Sequence, residues 1–235
     1  MSTAMQNDTD TSNINPDILS DEHQEILEQP EEKQPEPITT PTTIDLLRHG
    51  QVVTPNLFCA PGNEPLGNHG WKQLTLATQH GHWDMVISSP SRRCHDFARL
   101  LAQRLNCPFG VDPRFGEMDF GDWIGKPQTT IWEEYPELMQ QLWYQPRRFV
   151  APNGEAMEDF IDRVQQAWEE LQAHYAGKNI LLLTHAGVIR VVLAKVLDIL
   201  YQRSLRFEVG YAQITRVRIY PDGETSLLGH GLPHA

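Results

Sequence analysis

Short apolar runs alternate with longer amphipathic stretches along most of this chain. Three short runs bounded by polar residues are predicted to be strands buried on both faces: Thr43 to Leu47, Asp84 to Ser88 and Asn179 to Thr184. Three longer stretches with apolar residues three and four positions apart are predicted to be helices: Ser91 to Leu105, Glu155 to Tyr175 and Val188 to Leu200. Strand-then-helix repetition predicts an α/β fold with three layers, α/β/α, around a mostly parallel sheet.

The C-terminal part of the chain has a different pattern. Ile214 to Tyr220 and Thr225 to Leu228 read as strands, and the turn sequence Pro221-Asp222-Gly223 lies between them. This pattern predicts a β-hairpin. We therefore expect one antiparallel edge on the otherwise parallel sheet.

The first 42 residues differ from the rest in composition. They contain ten Asp or Glu residues, one Lys and no Phe, Trp or Tyr, and so carry −9 of the formal net charge of −12. Such a segment cannot bury enough apolar surface to offset the entropy cost of ordering it. We expect residues 1–42 to form a disordered acidic tail and residues 43–235 to form one domain with a sizeable core.

Charge and hydropathy argue against several classes of function. The net acidity and the lack of a basic run in the sequence argue against a nucleic-acid-binding protein. No apolar stretch approaches the length needed to span a bilayer and no signal peptide is visible, so we expect a soluble, cytoplasmic protein without a membrane partner. Cys59, Cys94 and Cys107 are not spaced as a metal site, which favours reduced thiols.

Polar side chains follow three of the predicted strands. One strand runs into RHG at residues 48–50, and another runs into HAG at residues 185–187. The third strand starts a helix whose first turn carries Arg92 and Arg93. In parallel α/β sheets, ligands bind at the carboxyl ends of the strands. Two imidazoles and at least two guanidiniums at one edge predict a pocket for a phosphate dianion, which arginine binds with paired hydrogen bonds.

Each of these features also has a structural interpretation. A single His after a strand is more often a packing or capping residue, and a Ser-Pro helix start is ordinary capping. A metal site is the other use of paired histidines, but neighbouring arginines would repel a cation. His80 with His82, and His230 with His234, have metal-like spacings. We interpret the first pair as lying in a surface loop and the second in a C-terminal tail.

The motifs RHG, SSPSRRC and THAGVIR, in this order, strongly resemble the histidine phosphatase (phosphoglycerate mutase-like) superfamily. The similarity continues through GEMDFGDWIGK and PNGEAMEDFIDRV, so that it covers nearly all of residues 43–196. The segments LLRHG, SSPSRRCHDFA, FGEMDFGDW and LTHAGVIR look most like alpha-ribazole phosphatases, which act late in cobalamin assembly. The resemblance implies a phosphoglycerate mutase-like fold.

The resemblance also implies roles for residues at the strand ends. His49 would attack phosphorus as a neutral imidazole and form a phosphohistidine. Arg48 and Arg93 would bind the phosphoryl oxygens. His185 and the amide of Ala186 would donate further hydrogen bonds to these oxygens. No metal or other cofactor is implied.

Glu117 is the general acid that the resemblance implies, because the family acid precedes an aromatic-Gly pair, as in Glu-Met-Asp-Phe-Gly here. It would protonate the leaving alkoxide and then accept a proton from water. Asp119 is the second choice, with a turn-forming role as its alternative. Trp123, Trp132 and Trp143 either wall a pocket for a flat ring or belong to the core, and we favour the core for at least two of them.

The chain departs from the family pattern at several positions. Val52 stands where a hydroxyl-bearing residue is usual, so either Thr54 or Asn56 supplies the phosphate contact in its place or the contact is lost. Ile124 replaces a common Glu. Ala156 replaces a common Ser at a helix start, which weakens either a cap or a ligand contact by about 1 kcal/mol. These departures bear on the substrate more than on the chemical step.

Residues and resemblance together predict a metal-independent phosphomonoesterase that works through a phosphohistidine and acts on alpha-ribazole 5′-phosphate. The alternatives are a general sugar-phosphate or nucleotide phosphatase, or a mutase, which must shield its phosphoenzyme from water. A non-catalytic protein that binds a phosphorylated ligand ranks last, because no core residue of the family is lost. The expected partner is a small phosphate ester, and exposed apolar helix faces permit a homodimer.

Overall fold

The computed structural model describes residues 39–58 and 64–232. Its strands and longer helices are, in chain order, β1 (Thr42–Arg48), α1 (Asn68–Ala77), β2 (Met85–Ser88), α2 (Arg92–Leu105), β3 (Phe109–Val111), α3 (Gln128–Glu134), α4 (Pro136–Tyr144), α5 (Met157–His174), β4 (Asn179–Thr184), α6 (Ala186–Val196), α7 (Tyr201–Ser204), β5 (Ile214–Ile219) and β6 (Thr225–Leu232). Short 3-10 helices cover Pro113–Phe115, Gly121–Trp123 and Pro146–Arg148. The predicted acidic tail lies outside the described residues except for its last four positions, where Thr42 already begins β1.

The described strands form one sheet in the order β3-β2-β4-β1-β5-β6. The first four strands are parallel to one another. β5 runs antiparallel to β1, and β6 runs antiparallel to β5. The predicted mostly parallel sheet with an antiparallel edge is confirmed, and the predicted C-terminal hairpin forms that edge.

The sheet separates two hydrophobic cores, and β4 shows how. Alternate side chains of a strand point to opposite faces of its sheet. Ile180 and Leu182 pack with residues of α5 and α6, whereas Leu181 and Leu183 pack with residues of α1 and α2. All four side chains are fully buried. Helices therefore cover both faces, which confirms the predicted three-layer α/β/α fold.

The helix ends differ from the prediction where local backbone geometry intervenes. The helix expected to reach Leu200 ends at Val196, because Asp198 adopts a left-handed conformation with φ of 49°. No Gly or Pro marks this end, so the sequence contains no clear stop signal.

The sequence did not predict the three-residue strand β3, because the strand is too short for its hydrophobic period to be recognised. Among the described residues, none of the helices is long and apolar enough to cross a membrane.

Candidate active site

The register of the parallel strands brings the two strand-end histidines together. β1 pairs with β4 so that Arg48 lies opposite Thr184. His49 and His185 each follow these residues, and their ring centroids lie 5.3 Å apart in an edge-to-face arrangement. The next strand along, β2, ends close by, where the amide of Ser89 donates to the carbonyl of Leu183 at 3.0 Å. The carboxyl ends of three strands thus form the floor of one site.

Gly50 permits the chain after His49 to pack closely against α1. A Cβ atom at Gly50 would collide with the carbonyl of Gly70, which lies in the first turn of α1. Only glycine allows this close approach of two backbones. The glycine of the RHG motif therefore has a packing role. It sets the position of the backbone that follows β1 and His49.

His49 is held as a neutral imidazole with a defined tautomer. The side chain is buried, with 5% of the residue exposed. Its Nδ1 lies 2.8 Å from the carbonyl oxygen of Gly50, which only accepts hydrogen bonds, so Nδ1 carries the proton. Burial, followed by the charges of Arg93 and Arg48, holds the pKa of His49 well below its usual value of 6.5. The lone pair on Nε2 is therefore available as a nucleophile.

His185 is fully buried and both of its ring nitrogens contact protein groups. Nδ1 accepts from Nη2 of Arg93 at 3.2 Å, so the ring proton is on Nε2, which donates to Oγ of Ser89 at 2.7 Å. Burial, and then the charge of Arg93, holds the pKa of His185 well below its usual value. His185 lies behind Arg93 and orients it. Its predicted hydrogen bond to a phosphoryl oxygen stays a prediction.

Two arginines reach the site from different elements. Nη1 of Arg48 donates to the carbonyl of Val209 at 2.6 Å, and its guanidinium lies 4.0 Å from the ring centroid of Tyr211. Arg93 is almost fully buried in the first turn of α2. Arg92, the neighbouring candidate from the same turn, points to the surface and pairs with Asp96 at 3.6 Å. The two consecutive arginines therefore have different surroundings, with Arg93 in the site and Arg92 at the surface.

Glu117 and Asp119 have different surroundings. The carboxylate of Glu117 faces the site, where Oε2 accepts from the amide of Gly187 at 3.2 Å. Oδ1 of Asp119 accepts from the amide of Gly121 at 2.9 Å, which is the turn-forming arrangement. Asp119 does not line the cavity that contains His49. The geometry favours Glu117 over Asp119 as the group that transfers protons.

Arg163 holds the loop that carries Glu117. Its Nη1 donates to the carbonyls of Arg114 and Gly116 at 2.6 and 2.9 Å, and its Nη2 donates to the carbonyl of Glu117 at 3.2 Å. The same guanidinium makes paired bonds to the Glu155 carboxylate at 2.6 and 2.9 Å. Sequence reasoning missed this clamp. Its only signal was the presence of both residues in the segment GEAMEDFIDR.

These residues surround a cavity of about 510 Å³. Its lining includes polar and charged groups of Arg48, His49, Arg93 and Glu117 together with Ala186. Apolar and aromatic side chains also line it: Phe58, Phe120, Trp132, Met139, Leu142 and Trp143. Such a lining can hold an anionic group together with apolar or aromatic surface.

The tryptophans correct a prediction. Trp123 is fully buried, but Trp132 and Trp143 are 46% and 44% exposed and line the cavity. The preference for at least two core tryptophans was therefore wrong. Trp132 follows Ile131, which takes the buried position of the short helix α3. Neighbouring residues of a helix point to different faces, so Trp132 faces the cavity.

Asn56 and Ala186 both line the cavity, as the predicted phosphate contacts require. Asn56 is exposed and adopts a left-handed backbone with φ of 67°. Its carbonyl accepts from the amide of Gln128 at 3.2 Å. Ala186 is the first residue of α6. Thr54, the alternative to Asn56, does not line the cavity.

The remaining candidate residues lie elsewhere. His80 and His82 are exposed, as expected for a surface loop. His230 lies within β6 rather than in a tail, where Nδ1 contacts Oγ1 of Thr215 at 2.8 Å. This corrects its predicted position, because β6 extends beyond the end expected for the hairpin. His234 falls outside the described residues.

The cysteines that the structure describes are free thiols. Cys94 and Cys107 form no disulfide, and burial raises the pKa of Cys94 to about 12. A thiol with so high a pKa is a poor nucleophile. Cys59 falls outside the described residues.

Comparison with known proteins identifies the architecture. The family model of the histidine phosphatase superfamily (branch 1) matches residues 44–229. A bifunctional protein of Mycobacterium tuberculosis is 31% identical over 194 residues, which make up 80% of this chain and 53% of that protein. The chain therefore spans about half the length of this relative.

Two further proteins extend the comparison. The adenosylcobalamin/alpha-ribazole phosphatase of Salmonella typhimurium is 29% identical over 157 residues, which cover 65% of this chain and 78% of that enzyme. The crystal structure of phosphoglycerate mutase from Bacillus anthracis superposes with a TM-score of 0.72 at 18% identity, covering 85% of this chain and 96% of that one. The structural match shows that the fold is phosphoglycerate mutase-like.

Proposed function

This chain belongs to the histidine phosphatase superfamily, and we propose that it hydrolyses small phosphate monoesters through a phosphohistidine at His49. The observation that carries the proposal is the buried, neutral imidazole of His49 beside Arg48 and Arg93. A neutral nitrogen nucleophile flanked by two fixed cations suits attack on a phosphoryl group.

In the first step, Nε2 of His49 attacks phosphorus in line with the ester bond. The phosphorus–oxygen ester bond breaks, and the leaving oxygen takes a proton from Glu117. Arg48 and Arg93 offset the charge on the phosphoryl oxygens. Phosphorylation makes the imidazole ring cationic, and the carbonyl of Gly50, bonded to Nδ1–H, stabilises that charge.

In the second step, the carboxylate of Glu117 accepts a proton from water as the water oxygen attacks phosphorus. The phosphorus–nitrogen bond breaks, which releases inorganic phosphate and returns a neutral His49 and a protonated Glu117. The amide of Gly187 and the Arg163 clamp hold Glu117 in place for both proton transfers.

The proposed substrate is alpha-ribazole 5′-phosphate. The name of the Salmonella typhimurium relative supports this choice. The aromatic lining of the cavity also supports it, because Phe120, Trp132 and Trp143 can contact a flat ring system.

The test is phosphate release from alpha-ribazole 5′-phosphate, p-nitrophenyl phosphate and 3-phosphoglycerate in EDTA. We expect a clear preference for the ribazole ester and loss of all activity in His49→Ala. His82→Ala, which changes an exposed histidine, is the matched control. Activity that persists in His49→Ala would refute the phosphohistidine. Activity lost in that variant but without the substrate preference would refute only the ribazole assignment.

A further inference from the structure

Tyr201 has a hydroxyl group in the cavity wall that the reaction described above does not use. The residue is 7% exposed and lines the cavity together with Glu117 and Arg190. None of the hydrogen bonds among the described residues involves this hydroxyl, and the residue's carbonyl accepts from Ser204 instead. The hydroxyl oxygen is not among the fully buried polar atoms of the described residues, so it is accessible from the cavity. An accessible hydroxyl without a protein partner in a cavity wall is available to a ligand.

Arg190 is fixed beside the same part of the cavity. Its Nε and Nη2 both donate to the carbonyl of Phe207, at 3.2 and 3.1 Å. These bonds hold the guanidinium plane in place and leave Nη1 without a partner among the described residues. Arg190 therefore presents a preorganised guanidinium to the cavity.

The protonation state of Tyr201 suits a hydrogen-bond donor. Burial raises the pKa of its hydroxyl, the carboxylate of Glu117 raises it further, and Arg190 acts in the opposite direction. The hydroxyl therefore keeps its proton at neutral pH. It also lies within electrostatic range of the group that protonates the leaving oxygen.

The donors of the cavity wall indicate what this part of the site accepts. Arg48 and Arg93 match the two charges of a phosphate monoester dianion, and Arg190 is the remaining arginine among the described residues that line the cavity. Tyr201 and Arg190 both donate hydrogen bonds, and a hydroxyl oxygen has two lone pairs with which to accept from both.

We propose that Tyr201 and Arg190 form a subsite that binds a hydroxyl group of the leaving alcohol, beside Glu117. The ligand class is the neutral polyhydroxylated leaving group of a sugar, nucleoside or glycerol phosphate. The subsite rests on the proposed function, since it places the leaving group only when the phosphoryl group lies at His49. Tyr201 and Arg190 determine specificity by donating to the substrate hydroxyl, and they take no part in bond breaking.

The experiment compares two esters with the same carbon chain, glycerol 3-phosphate and n-propyl phosphate. The wild-type enzyme should prefer glycerol 3-phosphate in kcat/KM by about tenfold, the size of one well-placed hydrogen bond. Tyr201→Phe, which removes only the hydroxyl, should lose this preference while its kcat/KM for n-propyl phosphate stays unchanged. Tyr144→Phe is the matched control, because Tyr144 is 77% exposed and does not line the cavity.

Three results would overturn the subsite: no preference in the wild-type enzyme, equal losses on both esters in Tyr201→Phe, or a preference that survives in that variant. If Tyr201→Phe fails to fold, Arg190→Lys gives the same comparison, because lysine lacks the planar guanidinium that bonds to the carbonyl of Phe207 and lines the cavity. Hydrolysis of p-nitrophenyl phosphate by His49→Ala tests the proposed function separately. That ester has no hydroxyl, so its result is independent of the subsite.

Discussion

The backbone amide of Gly187 donates a hydrogen bond to Oε2 of Glu117 at 3.2 Å. A Cβ atom at Gly187 would collide with Oε1 of the same carboxylate. The predicted general acid therefore lies directly against the first turn of α6, and α6 begins one residue after His185. The absence of a side chain at Gly187 gives Glu117 the space it occupies.

Gly187→Ala is expected to impair proton transfer more than folding. The added methyl group displaces the end of a flexible glutamate side chain, so we expect Tm to stay within about 2–4 °C of the wild-type value. Misplacing the acid should lower kcat/KM for alkyl phosphates by about 10²-fold. Steady-state kinetics and thermal unfolding check both parts. Unchanged turnover of alkyl phosphates would show that the carboxylate position does not matter.

Glu117→Gln is expected to slow esters with poor leaving groups by about 10²- to 10⁴-fold. The loss on p-nitrophenyl phosphate should be much smaller, because nitrophenolate leaves without prior protonation. Asp119→Asn is the matched control, since its carboxylate bonds to Gly121 and does not line the cavity. Equal losses of Glu117→Gln on both esters would move the acid role to another group, and Asp119 is the first candidate.

The main features of the fold and the location of the site follow from local patterns. Parallel strands place their carboxyl ends at one edge, so the polar residues after β1, β2 and β4 were expected to meet. The structure brings Arg48, His49, Arg93 and His185 together there. The roles of these residues stay predictions until they are measured.

Other parts of the site depend on contacts that local patterns do not encode. Tyr211 reaches Arg48 and His49 from the loop before β5, and Ser89 reaches His185 from the end of the neighbouring strand β2. Arg163 finds its carbonyl acceptors more than 40 positions earlier in the chain. These contacts arise from tertiary packing, and no periodicity or spacing in a single sequence predicts them.

The stability of the protein is expected to fall as the pH falls below 6.5. The pKa values of His49 and His185 are held well below 6.5 in the folded state, mainly by burial. The unfolded chain therefore binds more protons between 6.5 and the folded-state values, which favours unfolding there by about 1.4 kcal/mol per pH unit for each group. Denaturant unfolding at pH 7.5 and 5.5 measures the change.

His49→Asn is the comparison for this pH effect. The variant lacks one of the two buried histidines, so its free energy of unfolding should fall less than that of the wild-type protein over the same pH interval. Equal pH dependence in both proteins would mean that His49 does not carry a lowered pKa in the folded state.

Ala156→Ser is expected to stabilise the protein by about 1 kcal/mol, which raises Tm by about 2–4 °C. Ala156 is the N-cap residue of α5, has an extended backbone (φ −69°, ψ 138°) and supplies no side-chain cap. A serine hydroxyl at this position can accept from a free amide of the first helical turn. Ala156→Val is the control, since it adds atoms but no acceptor. An equal gain from both substitutions would exclude capping as the cause.

Arg163→Lys is expected to lower both stability and turnover, because lysine cannot replace the several directed bonds of the guanidinium. Arg163 joins three loop carbonyls, including that of Glu117, to the Glu155 carboxylate. Loss of charged hydrogen bonds at a half-buried site should reduce the free energy of unfolding by about 2 kcal/mol.

The kinetic effect of Arg163→Lys should depend on the leaving group. The value of kcat for alkyl phosphates should fall far more than kcat for p-nitrophenyl phosphate, because the loop positions the proton donor. Arg147→Lys, which changes an exposed arginine paired with Glu158, is the control. If Arg163→Lys slowed both esters equally, the clamp would support the fold without positioning Glu117.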